Sequence, residues 1–148
     1  MAGPILSIKF RHIMVRVMVF GTFDILHPGH LDFLGRAKKL GDELVVSISR
    51  RVNAKRIKGK NPRHSEIERK KLLESVRFVD NVVIGAKTDY LAHILRLRPD
   101  IIALGYDQKH YTQGLKEKLA KRGLKVRIVR LKSYKPQIYK TSKLRDKF

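Results

Sequence analysis

Val19-Phe20-Gly21-Thr22-Phe23-Asp24-Ile25-Leu26-His27-Pro28-Gly29-His30 is the stretch on which the reading of this chain turns. Upstream, Val15, Val17 and Val19 alternate with Arg16, Met18 and Phe20 in a β-rich run short enough for a buried strand, and Gly21 ends it. Downstream, Leu31, Leu34, Ala37 and Leu40 recur at roughly helical spacing. Pro28 suits the first turn of that helix, where its missing N–H has no intrahelical partner to lose. His27 and His30 therefore flank a helix start, the place where free N–H groups carry partial positive charge and attract an anion. Gly29 leaves room for a phosphate to approach. Imidazole N–H groups beside those amides are suited to the extra negative charge that builds on phosphorus under attack.

The same pattern repeats along the chain. Short apolar runs at Glu43 to Ile48, Asn81 to Ile84, Ile101 to Leu104 and Lys125 to Leu131 predict four more strands. Helical spacing between them covers Glu66 to Phe78, Tyr90 to Leu97 and Tyr111 to Arg122. Strands alternating with helices predict an α/β fold with a five-stranded parallel sheet, and ligands gather outside the carboxyl ends of such strands. The 148 residues fit one domain, set at 14–148, with residues 1–13 as a leader of no clear period. Met14 is a candidate for the true start.

Composition narrows the classes. There is no cysteine, which excludes a disulfide framework, a thiolate zinc site and a cysteine nucleophile. No apolar run approaches the roughly 20 residues that span a bilayer, and Ile5-Leu6-Ser7-Ile8 is too short for a secretory core, so a cytoplasmic protein with no membrane partner is expected. Lys and Arg number 34 against 13 Asp and Glu, a formal charge of +21 that favours polyanions. The cations are spread along predicted helix faces without an aromatic stripe, so nucleic acid is the less favoured partner. His12, His93 and His110 have no metal-ligand spacing, and no protein metal site is predicted.

Further candidate positions lie at other strand ends. Arg50 to Arg63 is strongly basic, and Gly59 and Pro62 argue against a continuous helix, which predicts a mobile cationic loop. Within it, Lys58 and Lys60 are suited to the charge of a departing pyrophosphate, or else are simply solvated. Ser65 is placed to cap the helix that contains Glu66, Glu68 and Arg69. Leu104-Gly105-Tyr106-Asp107-Gln108 opens a strand into polar groups, where Asp107 either accepts a hydrogen bond from a ribose or amino group or belongs to an ordinary turn. Near the end, Thr141 or Ser142 is a candidate N-cap of a terminal helix, and Tyr134 is either a stacking surface for a base or a core tyrosine.

On the residues Gly21-Thr22-Phe23-Asp24-Ile25-Leu26-His27-Pro28-Gly29-His30 the chain resembles the nucleotidyltransferase superfamily with the H-x-G-H signature, most closely its cytidylyltransferases and archaeal FAD synthases. The resemblance covers nearly everything from Met14 onward. It implies a Rossmann-like three-layer domain and direct displacement at the α-phosphorus of a nucleoside triphosphate. It also implies catalytic roles for His27, His30, Lys58 and Lys60, and nucleotide contacts from Thr22, Phe23, Pro28, Gly29, Asp107, Tyr134, Thr141 and Ser142. Arg69 is implied as a substrate contact or a brace of the preceding loop. The Leu-Gly-x-Asp-Gln segment is similar to that of archaeal FAD synthases. Lys135 to Ser142 departs from the Arg-Thr-x-Gly-Ile-Ser-Thr-Thr of cytidylyltransferases, which points away from CTP. The resemblance therefore implies transfer of AMP from ATP to FMN, with magnesium held chiefly by the triphosphate, and a possible homodimer. Two other readings stand beside it: a CTP-dependent polyol-phosphate cytidylyltransferase, and a basic nucleic-acid-binding module without activity.

Overall fold

A computed structural model describes residues 14–132. The leader 1–13, Tyr134, Thr141 and Ser142 lie outside the described residues. The strands are β1 (Arg16–Gly21), β2 (Glu43–Ile48), β3 (Asn81–Ile84), β4 (Ile101–Leu104) and β5 (Arg127–Arg130). The helices are α1 (Pro28–Lys38), α2 (Arg51–Lys58), α3 (Glu66–Glu74), α4 (Tyr90–Leu97) and α5 (Leu115–Lys121). All strand pairs are parallel and the order is β3-β2-β1-β4-β5. This is the Rossmann-like arrangement expected, and it reverses direction at β1, the strand that ends in the H-x-G-H segment.

Alternation along β1 feeds two cores. Val17 and Val19 pack with Leu34, Ala37, Leu44, Val46, Ile48 and Leu73 on the face covered by α1 and α3. Met18 points the other way, into Ile94, Ile102, Leu104, Leu115 and Leu119 under α4 and α5. β2 and β4 are buried almost throughout because helices cover both sides of the sheet, which is why they read as continuous apolar runs. The result is three layers, with every βα junction opening on the same edge.

Two expectations are corrected. Arg51–Lys58 is a helix and not a loop, and Ala54 is its buried residue. The Asn53 side chain donates to the carbonyls of Ala86 (2.9 Å) and Lys87 (3.3 Å), so the segment is anchored despite its charge. Gly59 terminates this helix: at φ 78° it adopts the left-handed conformation and donates its N–H to Lys55 O at 2.7 Å. Helix lengths also fall short of their spacing: α3 ends at Glu74 instead of Phe78, and α5 starts at Leu115 after turns at 110–114.

Candidate active site

The end of β1 is packed too tightly for a side chain at its last residue. A Cβ on Gly21 would lie 2.5 Å from the Phe23 ring, which is itself 5 % exposed on a left-handed backbone at φ 49°. Phe23 in turn meets the His30 ring edge-on, with centroids 5.3 Å apart. Glycine, phenylalanine and histidine thus form one stack that sets the position of His30.

His27 is the N-cap of α1. Its backbone is extended, and its Nδ1 accepts the Gly29 N–H at 3.1 Å, while its carbonyl receives the amides of His30 and Leu31. An accepting Nδ1 places the proton of the neutral ring on Nε2, so the cap hydrogen bond selects the tautomer that can donate. The two imidazoles stack with centroids 3.8 Å apart and planes 24° from parallel. Such closeness is tolerable only if both are not charged together. His30 is pushed down to about 3 by burial, then by His27 and Lys58, against smaller opposite effects of the Ile25 backbone and Asp24. Burial also lowers His27. Both rings are thus held below the ordinary histidine range, and neutral imidazoles can hydrogen-bond to an anion without the desolvation cost of two buried cations.

The influence of Lys58 on His30 locates the end of α2 beside the motif, and Lys58, Gly59 and Lys60 are all exposed there. What holds this segment is Asp24. Its carboxylate is 2 % exposed and accepts the backbone N–H groups of Arg63 (2.8 Å) and His64 (2.9 Å). Arg69 is fully buried and donates to Thr22 O (2.9 Å), Ser49 O (2.8 Å) and His64 O (3.1 Å). Of the two implied roles for Arg69, the geometry is that of a brace, joining the ends of β1 and β2 to the α2–α3 connection. Ser65 caps α3 in a reciprocal box with Glu68, as its sequence predicts.

Thr22 Oγ1 lies 3.0 Å from Ser49 Oγ, at the end of the neighbouring strand. Asp107 is exposed in the turn after β4, whereas its neighbour Gln108 is structural: Oε1 accepts Gly105 N–H at 2.8 Å and Nε2 donates to Phe20 O at 2.9 Å. Arg130 completes this tie by donating to the carbonyls of Gly105 and Gln108. The edge where β1, β2 and β4 end therefore brings together Thr22, Phe23, His27, Pro28, Gly29, His30 and Lys58. Asp24, Ser49 and Gln108 support it, and only the first of these three stands inside the motif. Ser49 has no local pattern that distinguishes it, since its partner lies 27 residues away; Gln108 stands in the Leu-Gly-x-Asp-Gln segment, but its tie to Phe20, 88 residues away, is not visible there.

A divalent cation is generally needed when ATP is the nucleotidyl donor. The imidazoles and lysines at this edge offer no hard oxygen ligands, and the Asp24 carboxylate is engaged by two backbone amides. The residues fit a cation that arrives on a triphosphate, where it would screen phosphate charge.

Comparison with known proteins agrees with this geometry. Residues 18–147 match the cytidylyltransferase-like family. The FAD synthase of Aciduliprofundum boonei is 51 % identical over 121 residues, 82 % of this chain and 80 % of the relative. That of Archaeoglobus profundus is 49 % identical over 120 residues, 81 % and 76 % of the two chains. Among solved structures, a Thermoplasma volcanium protein described as a lipopolysaccharide core biosynthesis protein superposes with a TM-score of 0.77 at 45 % identity, covering 82 % of this chain and 98 % of that one. Thermotoga maritima TmcAL, solved with α-thio ATP, shares the fold alone, at 14 % identity and a TM-score of 0.63 over 90 % of this chain and 50 % of that one. Fold, motif and relatives agree, and the chain belongs to the cytidylyltransferase-like family of nucleotidyltransferases, among its FAD synthases.

Proposed function

We propose that this chain transfers AMP from ATP to FMN, giving FAD and pyrophosphate. A phosphate oxygen of FMN attacks the α-phosphorus of ATP, the bond from that phosphorus to the bridging oxygen breaks, and pyrophosphate leaves with the electron pair. No general base is required, because a phosphate monoester is already ionised at neutral pH. The observation that carries the reading is the stacked His27–His30 pair at the N-terminus of α1, on the edge where the sheet order reverses.

Each imidazole would donate to the α-phosphate oxygens as charge builds there. Lys58 and Lys60 would neutralise the departing pyrophosphate. Thr22, Phe23, Pro28 and Gly29 would frame the nucleotide, and Asp107 would accept from its ribose or base. Tyr134, Thr141 and Ser142, outside the described residues, are assigned to base stacking and phosphate binding by the resemblance alone. Magnesium on the triphosphate is the cation of choice for the assay.

The test is pyrophosphate release by purified protein with magnesium, crossing ATP and CTP against FMN and glycerol 3-phosphate. Release with ATP plus FMN, accompanied by FAD, is expected. Release with CTP would replace this reading by polyol-phosphate cytidylyl transfer, and silence in every pairing would remove the enzymatic reading. His30→Ala is expected to lower turnover on the order of a hundred- to a thousandfold, the scale of losing one transition-state donor. His27→Asn keeps an N-cap acceptor for α1 and should lose activity while the melting temperature holds. Near-normal turnover in both variants would reject the histidine assignment.

A further inference from the structure

The β2–β3 half of the carboxyl edge holds a second concave site of about 260 Å³, between the β3–α4 connection and α4. Its walls include Arg50, Gly85, Lys87, Asp89, His93 and Arg96. Arg50 is half-buried and fixed there by donation from Nε to Gly85 O at 2.8 Å. His93, on α4, is half-buried with Nε2 at 2.9 Å from Ser47 Oγ, a hydroxyl that is 3 % exposed. Asp89 is already engaged: its Oδ1 accepts the Ala92 N–H at 3.0 Å as the N-cap of α4, and Arg122 lies 4.0 Å away.

Three cations against one engaged carboxylate leave an excess of positive charge in a concavity. The start of α4 adds partial charge of the same sign. The crowding is visible at His93, which is held below its ordinary range by burial, then by Arg96 and Arg50. Dispersed cations on a solvated face repel one another weakly, but cations converging in a cleft pay more for lost solvent, and a bound anion offsets that cost. Of small anions, a phosphate dianion matches best, since two guanidiniums and an ammonium present a fork geometry and a point charge to its oxygens.

We propose that this cleft is a second oxyanion site, which binds a phosphate dianion apart from the His27–His30 pair. The phosphate could come from inorganic phosphate or from an FMN other than the reacting one, whose own phosphate must lie against the α-phosphorus at the histidine pair. The test is NMR of the His93 ring in the full chain without ATP, titrated with inorganic phosphate, FMN and riboflavin. Phosphate is expected to shift the His93 resonance saturably and to raise its pKa. Half-saturation should move upward about tenfold or more in Arg96→Ala, the loss expected for one charge-assisted hydrogen bond. It should stay in place in Lys116→Ala, on α5. Saturation by FMN at lower concentration than by inorganic phosphate, with no response to riboflavin, would identify the flavin phosphate as the source. Equal saturation would identify free phosphate. An absent or unsaturable shift, or an unchanged one in Arg96→Ala, would overturn the site in favour of a diffuse ion atmosphere. Because no turnover is read, this outcome is independent of the reaction proposed above.

Discussion

His30 shows how much a single side chain depends on its surroundings. Histidine normally titrates near 6.5, and burial beside His27 and Lys58 moves this one to about 3. Between those values the unfolded chain binds a proton that the folded chain refuses, so stability must rise with pH across the window and fall as acid is added. The contribution is fully present above about pH 6.5 and is lost on the way down to about pH 3. His27 and His93 are lowered as well and act with the same sign. Urea midpoints measured from about pH 7 to about pH 4 should therefore decline in the parent protein and decline less steeply in His30→Gln, which has no proton to take up. Equal slopes would show that His30 is charged in the folded state. The motif itself was legible because H-x-G-H is local: a cap, a proline and a glycine within four residues. The tautomer and the lowered pKa were not, since they arise from a stacked ring, a neighbouring helix end and the loss of water.

At the scale of elements, the α2–α3 connection is held by groups distant in sequence. Asp24 reaches backbone amides 39 and 40 residues away, and Arg69 ties that connection to carbonyls on two strand ends. Asp24→Asn replaces one acceptor by a donor opposite those amides. It is expected to cost about 1–3 kcal/mol of stability. It should also raise the KM for ATP several-fold as the Lys58–Lys60 segment loosens, read by denaturation and steady-state kinetics together. Ser65→Ala removes only the cap of α3, with an expected cost of about 1 kcal/mol and turnover retained. If Asp24→Asn behaved like Ser65→Ala, the Asp24 contact would be structural only. Ser65 could be read from sequence because its partner Glu68 is three residues on. The helix at Arg51–Lys58 could not, because its basic composition resembles a solvated loop and its anchors, Ala86 and Lys87, belong to another junction.

Across the whole molecule, the formal charge of +21 opposes itself. Ion pairs such as Arg16–Glu43 at 3.0 Å and Lys38–Asp80 at 2.7 Å occupy few of the cations. Raising ionic strength from about 0.1 to about 1 M shortens the screening length from about 10 to about 3 Å. Two opposite trends should follow in a chloride series: a higher melting temperature as self-repulsion is screened, and a higher KM for ATP as attraction to the triphosphate weakens. A falling melting temperature would mean that the attractive pairs outweigh the repulsion. No helix among the described residues is long and apolar enough to cross a membrane.

Read alone, the chain yields the five strands with four of the five described helices, and the H-x-G-H motif at the end of β1. Both depend on short-range physics: alternation for strands, helical spacing for stripes, a proline and a capping residue at a helix start. Strand order was decided only in three dimensions, because apolar runs state that strands are buried and not which pair; the chain crosses from β3 at one edge past β2 and β1 to reach β4. The same holds for Ser49, Gln108, the Asp24 contacts and the cleft at His93. Each joins groups that become neighbours only when parallel strands end on one edge and buried polar atoms must find partners there.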